Sequence, residues 1–300
     1  MSNIFQSASY ITADGDEIIL GMKGNRKWFE IYSRHGFGAP EIEIENREYA
    51  NGAVRTLSAK LKPRECGLQM VAIGKSCRER DSIFFDMVSR LIQVGSKEEW
   101  GKLKVRRTDG IDVYLNCLYT GGMDEAIEGY KKFYRFPLEF FAGDAYFYDD
   151  KETVIRSEEL ATPIRLHDGL FLGKWRLNSG ITDITIENTG EVLYPIIEVT
   201  GPATNIRITN NTTGKTIAID PSYSLLSGYS IILDCRENHR GITLRNDSTG
   251  STADISNKLA LGSSLIWPFI KGTNRLSLYY TGSANSSGYE IHYQKRYLSA

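Results

Sequence analysis

Strict alternation of apolar and polar residues is the dominant pattern along this chain, and it predicts a protein built mainly from β-strands. The stretch 201–219 shows it most clearly. Ile206 and Ile208 alternate with polar residues before an Asn-Asn-Thr-Thr-Gly connection, and Ile217 and Ile219 alternate after it. The closing glycine supplies the positive φ that such a loop requires, so the stretch predicts a surface hairpin.

The first half of the chain mixes strands with one helix. Ser76 and Glu79 match a capping box, and an apolar stripe at helical spacing follows them, which predicts a helix from about 77 to 94 ended by Gly95. Alternation predicts the surrounding strands, which are 41–45, 57–61, 68–73, the two arms 103–105 and 113–117 of an Asp-Gly hairpin, and an aromatic strand at 134–141.

The second half reads as strands alone, separated by short turns rich in Gly, Asn and Ser, which is typical of a β-sandwich. The predicted strands are 169–177, 183–188, 195–200, 205–210, 216–219, 230–235, 241–246, 275–280 and 289–293. An aromatic strand gives way to a charged, less patterned segment near residue 150. We therefore predict two domains, 1–150 and 151–300.

Composition narrows the class of protein. The 300 residues carry a formal net charge of −1, which is not the charge that bulk binding of duplex DNA or an anionic membrane requires. No run approaches the roughly 18 apolar residues of a membrane span. The N-terminus shows no secretory signal pattern, so we expect synthesis in a cytoplasm and no membrane partner.

The four cysteines are scattered, at Cys66, Cys77, Cys117 and Cys235. None forms a Cys-x-x-Cys pair, and no histidine lies at zinc-ligand spacing from them. We interpret them as reduced, partly buried thiols and predict neither a metal site nor a cofactor.

A row of acidic residues, Glu41, Glu43 and Glu45, shares one face of a predicted strand. Such a row is compatible with one wall of a glycosidase cleft, a cation site, a face that lines a channel, or the solvated face of a strand. Because no second group of acids completes a catalytic couple, and no nucleophile or phosphate-loop motif occurs, no enzyme is predicted.

One polar group is compatible with sugar binding. His239 and Arg240 precede a predicted strand and Asn246 ends it, so their side chains could bind hydroxyls while Trp267 stacks on a sugar ring. The competing interpretation is a polar turn beside the exposed face of a strand.

A series of short motifs resembles the C-terminal domain of the distal tail protein (Dit) family of long-tailed, siphovirus-type bacteriophages. Asn-Thr-Gly-Glu at 188–191 and Tyr-Pro-Ile-Ile at 194–197 begin the series, and Gly201, Asn205-Ile206 and Asn-Thr-Thr-Gly at 211–214 continue it. The series closes with Tyr-Gln-Lys-Arg-Tyr-Leu at 293–298. In the first half, Phe-Phe-Ala-Gly-Asp-Ala-Tyr-Phe at 140–147 is similar to another motif of the family.

This resemblance implies a virion protein at the phage tail tip, with an N-terminal β-sandwich-like domain that forms a homohexameric ring and a C-terminal galectin-like β-sandwich. It implies contacts with the tail tube protein, with tail-tip baseplate or fibre proteins and with the tape measure protein. The resemblance also implies that DNA passes through the ring without specific binding. Two alternatives remain open, which are an adhesin that binds host wall carbohydrate through the C-terminal sandwich and a wall hydrolase.

Overall fold

The computed structural model describes residues 5–22, 29–48, 54–91, 100–123, 128–130, 133–156, 179–237, 239–282 and 287–300. They form two compact units, one of Met1–Asp150 with Tyr297–Ala300 and one of Lys151–Arg296. Strands dominate the described residues, and a single α-helix occurs among them, so the mainly β fold class predicted from the sequence is confirmed.

The first unit contains the strands β1 (Phe5–Ile11), β2 (Glu17–Met22), β3 (Phe29–His35), β4 (Ile42–Glu48), β5 (Val54–Leu61), β6 (Arg64–Ile73), β7 (Gly101–Arg107), β8 (Asp112–Gly121), β9 (Glu128–Tyr130), β10 (Phe133–Ala142) and β11 (Phe147–Asp149). The helix α1 (Cys77–Leu91) lies between β6 and β7. Among the described residues, no helix combines the length and the apolarity that crossing a bilayer requires.

The second unit contains β12 (Thr153–Arg156), β13 (Ser179–Asn188), β14 (Ile196–Thr200), β15 (Ala203–Asn210), β16 (Lys215–Ala218), β17 (Tyr229–Asp234), β18 (Gly241–Asn246), β19 (Thr252–Asp254), β20 (Gly272–Gly282) and β21 (Gly288–Tyr293). A 3₁₀ turn (Ser256–Lys258) follows β19. The last strand, β22 (Arg296–Tyr297), has one residue in each unit, because the second unit ends at Arg296.

The main sheet of the first unit has the strand order β2-β1-β7-β8-β10-β6-β3. The beginning of β8 pairs with β7, while its end, from Leu118 to Gly121, pairs with β10, so the sheet bends at this strand. Gly21 in β2 lies so close to Ile31 in β3 that an added Cβ would come within 2.8 Å of the isoleucine side chain. The ends of the sheet therefore approach each other, and the sheet encloses a core that includes Leu68, Met70, Leu103, Leu115, Phe136, Leu138 and Phe140.

Ser76 caps the helix as predicted, while Glu79 reaches back one residue further than a capping box requires. The backbone N–H of Glu79 donates to Ser76 Oγ at 3.3 Å, and the carboxylate of Glu79 accepts the N–H of Lys75 at 2.8 Å, so two otherwise free donors are satisfied. The start of the helix is therefore confirmed. The structure describes the helix as far as Leu91, and its predicted end at 94 and 95 lies outside the described residues.

The last four residues pack with the first unit, whereas the sequence placed them in the second domain. Arg64, a buried residue of β6, accounts for the difference. Its guanidinium donates to the carbonyl of Gly36, to Gly38 O at 2.7 Å and to Ala145 O at 2.8 and 3.1 Å. It also donates to Leu298 O at 2.9 Å, and so attaches the C-terminal segment to two loops of this unit.

The second unit is a sandwich of two antiparallel sheets. The order is β12-β21-β14-β17-β18-β19 in one sheet and β13-β20-β15-β16 in the other. Residues from both sheets form one core that includes Ile197, Ile231, Leu233, Ile206, Ile208, Leu276 and Leu278. The predicted strand at 169–177 lies outside the described residues. The structure adds three short strands that the sequence pattern did not indicate, β12, β19 and β22.

The Asn-Thr-Thr-Gly connection is confirmed as a hairpin turn. Asn210 is wholly buried, and its side-chain oxygen accepts the N–H groups of Thr212 and Thr213 at 3.0 and 3.2 Å. Its amide donates to Pro268 O at 2.9 Å, and Gly214 adopts a φ of +69°. The motif that carries the family resemblance is therefore a structural motif that fixes the turn.

Thiol labelling tests the packing of both cores. Cys66, Cys117 and Cys235 are wholly buried and Cys77 is exposed. Burial raises the pKa of Cys66 and Cys235 to about 12 and that of Cys117 well above its usual value, which suppresses the reactive thiolate. With an aromatic disulfide reagent at pH 8, we expect one thiol per native chain to react and all four to react in denaturant.

The control is Cys77→Ser. In its native state no cysteine should be labelled, and in denaturant the remaining three should be labelled. Rapid native labelling of a second cysteine would contradict the packing described for the cores.

Candidate functional site

Strands β4 and β5 form a separate two-stranded hairpin whose apolar face is uncovered. Ile42 pairs with Leu61 and Ile44 pairs with Ala59, so these four side chains share one face. The two isoleucines are 59% and 56% exposed. A two-stranded hairpin is marginally stable by itself in water, and this one gains little burial from its own chain. Its apolar face therefore has the character of a contact surface.

The opposite face of this hairpin is polar and linked across the strands. Ser58 Oγ donates to Glu45 at 3.0 Å, and Lys62 Nζ forms an ion pair with Glu41 at 3.1 Å. Exposed pairs of this kind add little stability, but they keep the two strands in register. The hairpin is thus amphipathic, with a solvated side and an uncovered apolar side.

The acidic row of Glu41, Glu43 and Glu45 lies on this solvated side, where all three residues are exposed. Within the described ranges, no three His, Cys, Asp or Glu side chains are grouped closely enough to hold a metal ion. Of the interpretations that the sequence left open, the solvated face of a strand agrees with the exposure of the row.

A second candidate surface is a groove on the solvent face of the four-stranded sheet of the second unit. It has a volume of about 620 Å³ and runs over β15, β16 and β20. Its wall includes Pro221 and Ala260. Ala260 lies along the outer edge of β16, where its backbone N–H donates to Ala218 O at 2.9 Å. Buried residues of these strands alternate with the residues that face the groove, so its floor combines the polar side chains of Arg207, Thr209 and Ser277 with the ring of Tyr279.

Two rows of side chains cross the floor of the groove. In the first row, Tyr279 in β20, Arg207 in β15 and Ala218 in β16 are direct register partners. The second row, one step along the strands, consists of Asp183, Ser277, Thr209 and Thr216. The first row thus presents an aromatic ring beside a guanidinium, and the second presents three hydroxyl groups beside the carboxylate of Asp183.

The backbone is irregular at one end of this groove. The pairing of β15 with β20 shifts between Thr204 and Arg207, which is a β-bulge. Asn205, inside the bulge, has a φ of +53° and is the one non-glycine residue with positive φ in the part of the chain that the structure describes. Bulges redirect side chains and are common beside functional sites, so the bulge aims Asn205 at the groove that it lines.

The polar residues predicted for sugar binding do not converge. His239 and Arg240 precede β18, while Asn246 ends it, and a strand of this length separates its ends by roughly 17–20 Å. The guanidinium of Arg240 lies 5.6 Å from the ring centre of Tyr194. The side-chain oxygen of Asn246 accepts the N–H groups of residues 248 and 249, so this side chain holds a turn.

The prediction that Trp267 stacks on a sugar is wrong. Its side chain is wholly buried in the core of the sandwich, 5.5 Å from the ring of Phe269. Its indole N–H donates to Lys215 O at 3.0 Å, so even its polar atom is engaged inside the protein. Trp267 lies in an irregular segment without alternation, so the sequence pattern did not show whether its side chain was buried or exposed.

Comparison with known proteins identifies the fold. No protein-family model and no curated protein sequence matches the chain. Among solved structures, the Dit protein of phage SPP1, presented as a paradigm of the hub adsorption apparatus in phages that infect Gram-positive bacteria, matches with a TM-score of 0.59 at 14% sequence identity. The match covers 96% of this chain and 98% of that chain. The chain has the fold of the SPP1 Dit protein.

Two structures of the phage P2 baseplate in its activated conformation, one with Ca and one with Sr, also match. Both share 12% identity and have a TM-score of 0.43, and they cover 97% and 95% of this chain and 98% of their own. The resemblance to distal tail proteins that the sequence motifs indicated is confirmed at the level of the Dit fold, which extends through both units.

Proposed function

We propose that this protein is a structural component of a phage tail tip, a distal tail hub. The observation that carries the proposal is the likeness to the SPP1 Dit fold over nearly the whole of both chains. A common fold does not by itself determine function. A likeness that continues through two successive units of different architecture is more restrictive than a likeness within one widespread domain.

The hub is proposed to assemble as a homohexameric ring from the first unit. The uncovered apolar face of the β4–β5 hairpin supports this proposal, because Ile42 and Ile44 need an apolar partner surface. A second copy of the chain is the partner to which we assign this face. A contact between the hairpin of one subunit and a different surface of the next is head-to-tail, and such contacts form a ring when the rotation between subunits closes.

The ring is proposed to join the tail tube protein to tail-tip baseplate or fibre proteins, with the tape measure protein as a further neighbour, within the virion. DNA is proposed to pass through its centre without specific binding. The near-zero formal net charge of −1 suits this passage, because a lumen rich in fixed cations would retain phosphates. The proposal includes neither a catalytic activity nor a cofactor.

Mass photometry of the purified full-length chain, with negative-stain images of the same sample, tests the proposal. We expect particles of six times the 33.8 kDa chain mass that appear as rings with a central hole. A second sample, mixed with the tail tube protein of the same phage, tests whether the ring forms only in the presence of the tube. A monomer in both samples would overturn the hub proposal.

A further inference from the structure

We propose that the groove on the four-stranded sheet of the second unit, lined by Asn205, Arg207, Thr209, Asn211, Ser277 and Tyr279, binds a neutral glycan. This binding activity goes beyond the hub function, which needs no small-molecule site. It also differs from the sugar-binding group predicted from the sequence, whose residues lie outside this groove.

The polar side chains at one end of the groove are available to a ligand. Among the described residues, no hydrogen bond or ion pair engages the side chains of Asn205, Arg207 or Tyr279. Together they offer an amide, a guanidinium and a phenol hydroxyl, which supply both donors and acceptors. Adjacent hydroxyl groups on a sugar ring require this mixture of donors and acceptors at close spacing.

The hydroxyl groups further along the groove are held in place beforehand. Asn211 Nδ2 donates to Ser277 Oγ at 2.7 Å, and that hydroxyl donates to Asp183 at 2.5 Å. The hydroxyls of Thr209 and Thr216 lie 3.1 Å apart. Because the side chains are already oriented, a ligand that bonds to them loses less conformational entropy on binding.

The groove also contains apolar surface suited to the faces of sugar rings. The ring of Tyr279 is 37% exposed, and Ala218, Pro221 and Ala260 add small apolar groups around it. The volume of about 620 Å³ falls within the range of small-ligand sites. An aromatic ring with convergent polar groups is the arrangement that orients a ligand with both apolar and hydroxyl-bearing surfaces.

Charge favours a neutral ligand over an anion. Arg207 is the cation among the residues that line the groove, and Asp183 lies in the neighbouring row as a register partner of Ser277. Phosphate-binding sites instead gather several cations or the N-terminus of a helix. The β-bulge at Asn205 lies at the end of the groove that also contains Arg207 and Tyr279. Bulges and positive-φ residues of this kind are common beside functional sites.

Saturation-transfer NMR on the full-length protein tests this proposal, with soluble tetrasaccharides of glucose, galactose, N-acetylglucosamine and rhamnose as probes. We expect transfer to at least one probe. Arg207→Ala and Tyr279→Ala should each weaken its binding about tenfold or more, because each removes a ligand contact while altering an exposed side chain. Tyr279→Phe, which keeps the ring and loses the hydroxyl, should weaken binding less than Tyr279→Ala does.

The matched control is Arg275→Ala, an exposed arginine on β20 that does not line the groove, and it should leave binding unchanged. Circular dichroism would verify that each variant is folded. No transfer to any tetrasaccharide, or transfer that Arg207→Ala and Tyr279→Ala leave unchanged, would overturn the glycan site. The ring assay is independent of this result, because these variants should form the same oligomer as the parent chain.

Discussion

Replacing Arg64 with alanine should lower the free energy of unfolding of the first unit by about 3–5 kcal/mol. The guanidinium donates to four carbonyls, those of Gly36, Gly38, Ala145 and Leu298. Burial lowers the pKa of Arg64, and the bonds to the four carbonyls offset part of the cost of desolvating its charge. Alanine would leave the buried carbonyl of Ala145 without its donor and would remove the bond to Leu298 that holds the C-terminal segment.

Hydrogen exchange measured by mass spectrometry should show this effect by region. In Arg64→Ala, peptides that cover β6 and the last residues of the chain should exchange faster, while peptides from the second unit keep their protection. Arg64→Lys should lose most of the stabilisation that Arg64 provides, because a lysine ammonium cannot reproduce the planar set of N–H donors of a guanidinium. The matched control is Arg106→Ala, which removes an exposed arginine paired with Asp112 and should change little. Equal protection in Arg64→Ala and the parent chain would contradict the role described.

The elements that could be predicted from the sequence are those fixed by neighbouring residues. The helix start depends on Ser76 and Glu79, and the hairpin turn depends on Asn210 and Gly214, all within a few residues of one another. Alternation placed most of the strands, because each strand buries one face against a core. These signals are local, so they are readable without knowledge of the partner strands.

The contacts of Arg64, the groove and the burial of Trp267 escaped prediction because they depend on contacts between distant segments. Arg64 and Leu298 are 234 residues apart, and a lone arginine beside a proline gives no sign of that contact. The groove required the register of β13, β15, β16 and β20, which the sequence does not encode in any one stretch. Trp267 was misassigned for the same reason, since only the folded sandwich shows that its ring is enclosed.

The β4–β5 hairpin shows the limit of the alternation argument. Ile42 and Ile44 alternate with glutamates as in a half-buried strand, and the strand is present. However, both isoleucines stay more than half exposed. Alternation indicates that a face is destined for burial and does not indicate which chain buries it. This uncovered face is therefore the place where the ring proposal can be tested most directly.

The double variant Ile42→Glu with Ile44→Glu should abolish ring formation while leaving the first unit folded. Both side chains are more than half exposed in the single chain, so their replacement removes little intramolecular packing. Between subunits, the loss of two buried isoleucines should weaken each contact about a hundredfold or more, and burying two carboxylates would add to that. Mass photometry should then show the mass of one chain in place of a ring.

The matched control is Glu43→Ala with Glu45→Ala, which changes the same number of residues on the solvated face of the same strand. It should keep the ring, because that face is not assigned to the subunit contact. Melting curves of both variants should resemble that of the parent chain when all are compared as monomers, in dilute samples. Rings that persist in the isoleucine variant, or that are lost equally in the glutamate variant, would refute the assignment of this hairpin to the subunit contact, because the apolar face would then have no specific part in assembly.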